Sequence, residues 1–257
     1  ARRLGCVLPY TGGLLNQQNR HHRRNRLSLS PDTMDCPAPV DFTRHFTYFA
    51  ADSRPDLAYT SQKSRKKKGI IFMKLSTQTD AFSLHFGEKN AIRMLIQSGY
   101  DALDCSCFDM LGDDSPKMQP SYRTYAKHLR RIAEDGGVYF NQAHAPFPSS
   151  RSDEAFTKDV FRRIVRAMEF AALLGARNIV VHPKQHLKYS TETAEALKQE
   201  NLEFYNKLIP YCKEFNICVA IENMWQYNSE RRIVPSVCGT IEEFCEYLRL
   251  LDSPWIT

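Results

Sequence analysis

The chain has 257 residues, 42% hydrophobic and 25% charged, with a formal net charge of +6 at pH 7. No apolar run approaches the roughly 18 residues a bilayer-spanning helix needs, which argues against a membrane span. The charge is uneven: residues 1–72 carry 13 Lys/Arg against 5 Asp/Glu, whereas residues 73–257 carry 22 against 24, so the basicity says nothing about what the body binds.

Residues 1–72 hold basic clusters at Arg2 and Arg3, from Arg20 to Arg26 and from Arg65 to Lys68, and no amphipathic period runs through them. The segment reads as a basic, disordered leader outside the fold. A nucleic-acid arm and an organellar transit peptide are the functional alternatives. Met73 opens the first strand-like run, and Lys68-Gly69 is what a purine-rich ribosome-binding site would encode, so the leader is expected to lie upstream of the native start. Residues 73–257 are taken as one domain. Its cysteines (Cys105, Cys107, Cys212, Cys218, Cys238 and Cys245) form no Cys-x-x-Cys pair. That usage fits a reducing cytoplasm better than a disulfide framework or a thiolate zinc site.

From Met73 onward strand and helix signals alternate. Residues 73–79 read as a short strand. Residues 88–98 place Ala91, Ile92, Leu95 and Ile96 on one helical face, with Gly99 as the terminating glycine. Residues 100–108 form a second strand, followed by a loop containing Gly112, Asp113, Asp114 and Pro116. Residues 122–134 predict a helix with Tyr125, Leu129 and Ile132 inward, stopped by Gly136 and Gly137. A third strand covers 138–144 and is closed by Pro146 and Pro148. Ser152 and Asp153 open a long helix carrying Phe156, Val160, Ile164, Ala167, Ala171 and Leu174, ending at Gly175. A fourth strand spans 178–182, and a helical region covers about 191–215, where Pro210 predicts a kink or restart. The fifth strand is 217–222. Thr240 and Glu243 form a capping box for a last helix running to Leu251, and Trp255 opens a sixth strand.

Repeated βα units, with no glycine-rich phosphate loop and no Gly-x-Gly-x-x-Gly, favour an α/β (β/α)8 TIM barrel over a dinucleotide-binding sheet. Five units and part of a sixth are present. The 185 residues from Met73 compare with about 250 for a typical barrel. The barrel is therefore expected to be incomplete, with an unpaired strand edge and no activity by itself.

Three of the strands end in polar residues, His144, His182 and Glu222, separated by 38 and 40 positions. That is roughly one βα unit each, since the crossover alone needs about a dozen residues. A parallel sheet then brings all three to one end of neighbouring strands, where two imidazoles and a carboxylate make a candidate divalent-metal site. Along 217–222, Cys218, Ala220 and Glu222 share one face and Ile217, Val219 and Ile221 the other. A carboxylate among small residues facing a barrel interior needs a cation or metal. Read singly, each histidine is a hydrogen-bonded strand-end residue and Glu222 a solvated loop carboxylate; together the metal or substrate reading prevails. Trp225 is a candidate sugar-stacking residue or a loop anchor. Lys184 is a candidate anion contact or a solvated lysine. His85 and His186, in loops, and His128, on a helix, rank lower, although His85 could still line the barrel mouth.

The segments Ala143-His-Ala-Pro146, Asn178-Ile-Val-Val-His-Pro183 and Val219-Ala-Ile-Glu-Asn223 resemble the third, fourth and fifth strand ends of the xylose isomerase-like TIM-barrel superfamily. The resemblance covers about residues 73–257. It implies that Glu222 is a metal ligand, and that His144 and His182 either bind metal, as in the endonuclease IV class, or contact substrate, as in many sugar isomerases. It also implies an Asp on strand six, a His on strand seven and a Glu on strand eight, beyond Thr257. The activity implied is a metal-dependent sugar or sugar-phosphate isomerase or epimerase that moves a proton next to a carbonyl. Glu222 and His182 are then the catalytic candidates, and His144, His182, Trp225 and Lys184 face substrate. A divalent ion (Mn, Mg, Zn or Co) is held by Glu222, His144 and His182. The alternatives are an endonuclease IV-like zinc phosphodiesterase on abasic DNA, against which the charge of the body counts, and a non-catalytic polyol-binding barrel. The partner expected is a small sugar or polyol, with no nucleic acid and no membrane; a homo-oligomer is left open.

Overall fold

A computed structural model describes residues 73–257, and the leader reading for residues 1–72 lies outside the described residues. The described chain runs β1 (Ser76–Gln78), α1 (Asp80–Phe86), α2 (Glu88–Gln97), β2 (Ala102–Ser106), a 3-10 turn (Phe108–Leu111), α3 (Tyr122–Asp135), β3 (Tyr139–His144), α4 (Glu154–Leu174), β4 (Asn178–Val181), α5 (Ala194–Phe215), β5 (Cys218–Ile221), β6 (Trp225–Tyr227), β7 (Ile233–Pro235) and α6 (Ile241–Leu251). Strands β1 to β5 form one sheet in sequence order, and every pair is parallel. Ile256 adds a parallel bridge to Val219, continuing the series beyond β5. A doubly wound sheet reverses its order at a switch point; this order never reverses, as in a (β/α)8 barrel.

Local chemistry explains most of the helices. Asp153 caps α4 by accepting from the backbone N–H groups of Ala155 and Phe156, and Gly175 ends the helix at φ 92°, a left-handed conformation that glycine adopts without a Cβ clash. Thr240 caps α6 by accepting from the Glu243 N–H. The inward face of α3 is Tyr122, Ala126, Leu129 and Ala133, while the expected Tyr125 and Ile132 lie on its flank, packed against the core but only partly buried. Small alanines let the helix sit close to the sheet, which turns the larger side chains to the edges.

Two expectations fail. Helix α5 runs through Pro210 without the restart that was one of the two expected outcomes. Leu208 and Cys212 are fully buried on either side of the proline, and that packing outweighs one lost backbone hydrogen bond. His85 lies in the last turn of α1, a helix the sequence reading took for loop. The short hairpin β6–β7 was also not expected.

One irregularity positions the site. Leu103 pairs with Phe140 and Asp104 with Gln142, leaving Asn141 as an extra residue in β3. This bulge shifts the alternation of side chains by one. Phe140, opposite Leu103, is buried in the core under the helices, and Gln142 and His144 turn to the face that carries Asp104 and Ser106.

Candidate metal centre at the strand ends

His144 closes β3, and His182 and Glu222 each stand one residue beyond β4 and β5. Strand register puts all three on one face. His144 pairs with Val180 and Val180 with Ala220, and His182 and Glu222 stand two residues beyond that pair. The fifth strand shows the expected division, with Ile217, Val219 and Ile221 buried and Cys218 and Ala220 half-buried on the opposite face.

The three side chains converge so that one ligand atom from each lies within 4.8 Å of the others. Among the described residues no other group of three such side chains does so. The imidazole centroids of His144 and His182 are 6.0 Å apart, at an interplanar angle of 76°. Glu222 Oε2 lies 3.9 Å from His144 Nε2 and 2.5 Å from His182 Nε2. That oxygen is buried, and His182 approaches it without hydrogen-bond geometry, so among the described residues it has no hydrogen-bond partner. A buried, unpartnered carboxylate oxygen facing two ring nitrogens is costly as it stands. The same arrangement fits a divalent ion, because two imidazoles and one carboxylate form a donor set used by catalytic zinc sites with an open position.

The electrostatics agree. Burial works to raise the Glu222 pKa, but the close approach and charge of His182, with that of His144, outweigh it and hold the carboxyl below its ordinary range. Burial works to lower the His144 pKa, and the hydrogen bond and charge of Asp104, with Glu222 and Asp80 adding, hold it above.

Two supporting features went unread in the sequence. Asp104, buried on β2, lies 3.0 Å from His144 Nδ1 and accepts from Gln142 Nε2 at 2.6 Å. The signal was available: Asp104 is the only charged side chain inside β2. An apolar collar also surrounds the rings. Phe147 meets His182 edge-on at 4.6 Å between centroids, and Phe108 lies 6.1 Å from His144 and 6.2 Å from His182. The Phe108 loop is pinned through the buried Lys117, which bonds Glu88 at 2.5 Å and Asp109 at 2.9 Å, and through Arg163, which donates to the Met110 carbonyl.

The other candidates lie outside this cluster. The Lys184 ammonium is 3.7 Å from Glu200 on α5 and lines a separate cavity of about 360 Å³ with Phe161 and Phe204. His186 approaches the same Glu200 at 3.8 Å. Trp225 is half exposed on the hairpin, where its ring meets Tyr227 at 5.1 Å. The hairpin is tied to the β4–α5 loop by Gln185, which donates to the Trp225 carbonyl, and by Gln226, which bonds the Tyr189 backbone. His85 is exposed on α1, and His128 is on α3.

A family model described as Xylose isomerase-like TIM barrel matches residues 92–257. The chain belongs to that family. No curated protein matches it significantly. Among solved structures, the xylose isomerase-like barrel seen here resembles a D-tagatose 3-epimerase-like protein (20% identity, TM-score 0.55, covering 72% of this chain and 63% of that one). It also resembles the 3-keto-D-glucoside 4-epimerase of E. coli (15%, 0.56, 72% and 67%). A third is an IOLI protein with a bound zinc atom (15%, 0.53, 72% and 61%). At these identities the likeness is one of fold. The chain spans 63% of the length of the first of these structures. Among the described residues no helix is long and apolar enough to cross a membrane.

Proposed function

We propose that this xylose isomerase-like barrel is part of a metal-dependent sugar or sugar-phosphate isomerase or epimerase, moving a proton at a carbon next to a carbonyl. The observation that supports this is the convergence of His144, His182 and Glu222 at successive strand ends of a fold whose solved relatives include sugar epimerases. His144, His182 and Glu222 would hold the divalent ion. When bound, such an ion polarises substrate oxygens and so acidifies the neighbouring C–H. Glu222 supplies the anionic donor; a carboxyl held below its ordinary range is a weak base, which favours ligand over proton acceptor. His182 stands beside it to meet a substrate hydroxyl or the ion. Phe108 and Phe147 exclude water from the two rings and offer apolar faces to the C–H side of a sugar. Trp225 would extend that surface.

The donor set also serves the zinc phosphodiesterase alternative. Lys184, the basic residue next along from His182, is turned to Glu200, which leaves phosphate recognition without a contact there.

The test is solvent hydrogen exchange. The purified native protein with Mn2+ or Mg2+ is expected to exchange a substrate C–H with deuterated water for at least one of a panel of ketoses and keto-sugars. Glu222→Gln is expected to lose exchange and metal together. Exchange lost with metal retained would make Glu222 the base. No exchange with any sugar, alongside incision of abasic DNA, would replace the proposal by the nuclease reading.

A further inference from the structure

His144 and His182 are held by different means. The His144 Nδ1 atom lies 3.0 and 2.9 Å from the two oxygens of Asp104, which is 6% exposed. Gln142 Nε2 donates to Asp104 Oδ2 at 2.6 Å, and the Asn141 bulge is what brings Gln142 and His144 to the same face. A carboxylate only accepts. The neutral His144 ring therefore carries its proton on Nδ1 and turns the Nε2 lone pair towards Glu222. The buried Nδ1 of His182 has no hydrogen-bond partner among the described residues.

The geometry points to Asp104 as a positioning residue: the Gln142–Asp104–His144 chain fixes the Nδ1–H tautomer and the ring plane, so that Nε2 is presented as an electron-pair donor to a cation. The ion itself rests on the metal reading proposed above, whereas the tautomer is a property of the metal-free chain. Carboxylates that orient a ligand histidine typically change metal affinity by about 10- to 100-fold when removed.

Nitrogen-15 spectra of the histidine rings, recorded without metal at a pH where His144 is neutral, read the tautomer directly. The wild-type chain is expected to show Nδ1–H at His144. In Asp104→Asn, Gln142 keeps the side-chain oxygen as its acceptor and leaves the new amide N–H facing His144 Nδ1, so the tautomer should reverse to Nε2–H. Zn2+ affinity, measured by competition with a chromophoric chelator, should fall by about 10- to 100-fold. An Nε2–H tautomer in the wild type, or an unreversed tautomer in the variant, overturns the assignment. A reversed tautomer with unchanged Zn2+ affinity overturns the positioning role. Should Asp104→Asn fail to fold, the wild-type spectrum decides alone. A wild-type chain that binds no Zn2+ sinks the metal reading, and the tautomer still decides the role of Asp104.

Discussion

The two sides of the candidate centre are built on different physics. On the β2–β3 side, buried polar groups do the bracing: Asp104 and Gln142 orient His144, and Lys117 joins Glu88 and Asp109 beneath the Phe108 loop. On the β4–β5 side, His182 is held by ring packing against Phe147 and Phe108, and a hairpin with exposed Trp225, Tyr227 and Ile233 follows Glu222. Charge–charge and hydrogen-bond geometry fix direction, whereas edge-on aromatic contacts fix position but tolerate rotation. One donor is thus aimed and the other only seated. This difference suits a site in which one imidazole stays on an ion while its neighbour can also meet substrate.

The largest expected break of this contrast is Lys117→Met. It leaves the buried Glu88 carboxylate without its cation, and should cost about 3–5 kcal/mol in chemical denaturation. A cost below about 1 kcal/mol would mean that the polar side is not braced by this network. Next comes Gly175→Ala at the end of α4, the helix between β3 and β4. A side chain forced to φ 92° should cost about 1–2 kcal/mol, read as a lowered urea midpoint at unchanged slope. On the opposite side, Thr240→Ala removes the cap of α6 and should cost about 1 kcal/mol by the same measurement. Phe147→Ala should cost no more than about 1.5 kcal/mol, yet broaden the His182 ring resonances while leaving those of His144 sharp. Broadening at His144 instead would remove the distinction between the two rings.

The smallest effect is a pH dependence on the α3–α4 surface. Burial works to raise the Glu169 pKa, but hydrogen bonds from Arg123 and Tyr122 outweigh it and hold the carboxyl below its ordinary range. Between the folded and unfolded values the unfolded chain binds the extra proton. The contribution is therefore present above the ordinary carboxyl range and is lost as pH falls through the lowered one. Glu169→Gln should therefore lower stability in the neutral region, flatten the acid part of the stability–pH curve and leave stability at the lowest pH little changed.

Much of this was legible in the chain itself. The βα alternation, the Asp153 and Thr240 caps, the stop at Gly175 and the buried stripe of α4 depend on residues within a few positions of one another, and each stands where the pattern puts it. The spacing of His144, His182 and Glu222 also carried through to three converging side chains, because a parallel sheet in sequence order turns equal spacing into equal height. The readings that failed depended on partners far away. Pro210 lies within a continuous helix because its neighbours are buried against other elements. The place of Lys184, near Glu200 and apart from the histidines, also depends on a distant partner, since α5 packs beside its loop.

The sequence by itself determined the order of the units and which residues end the strands, since periodicity, caps and glycines act locally. Tertiary structure decided where those residues point. Strict alternation along β3 would put Phe140 on the face of His144; only pairing with β2, which leaves Asn141 unmatched, separates them and brings Asp104 beneath the imidazole. A bulge is a property of two strands together, and no single strand's sequence contains it.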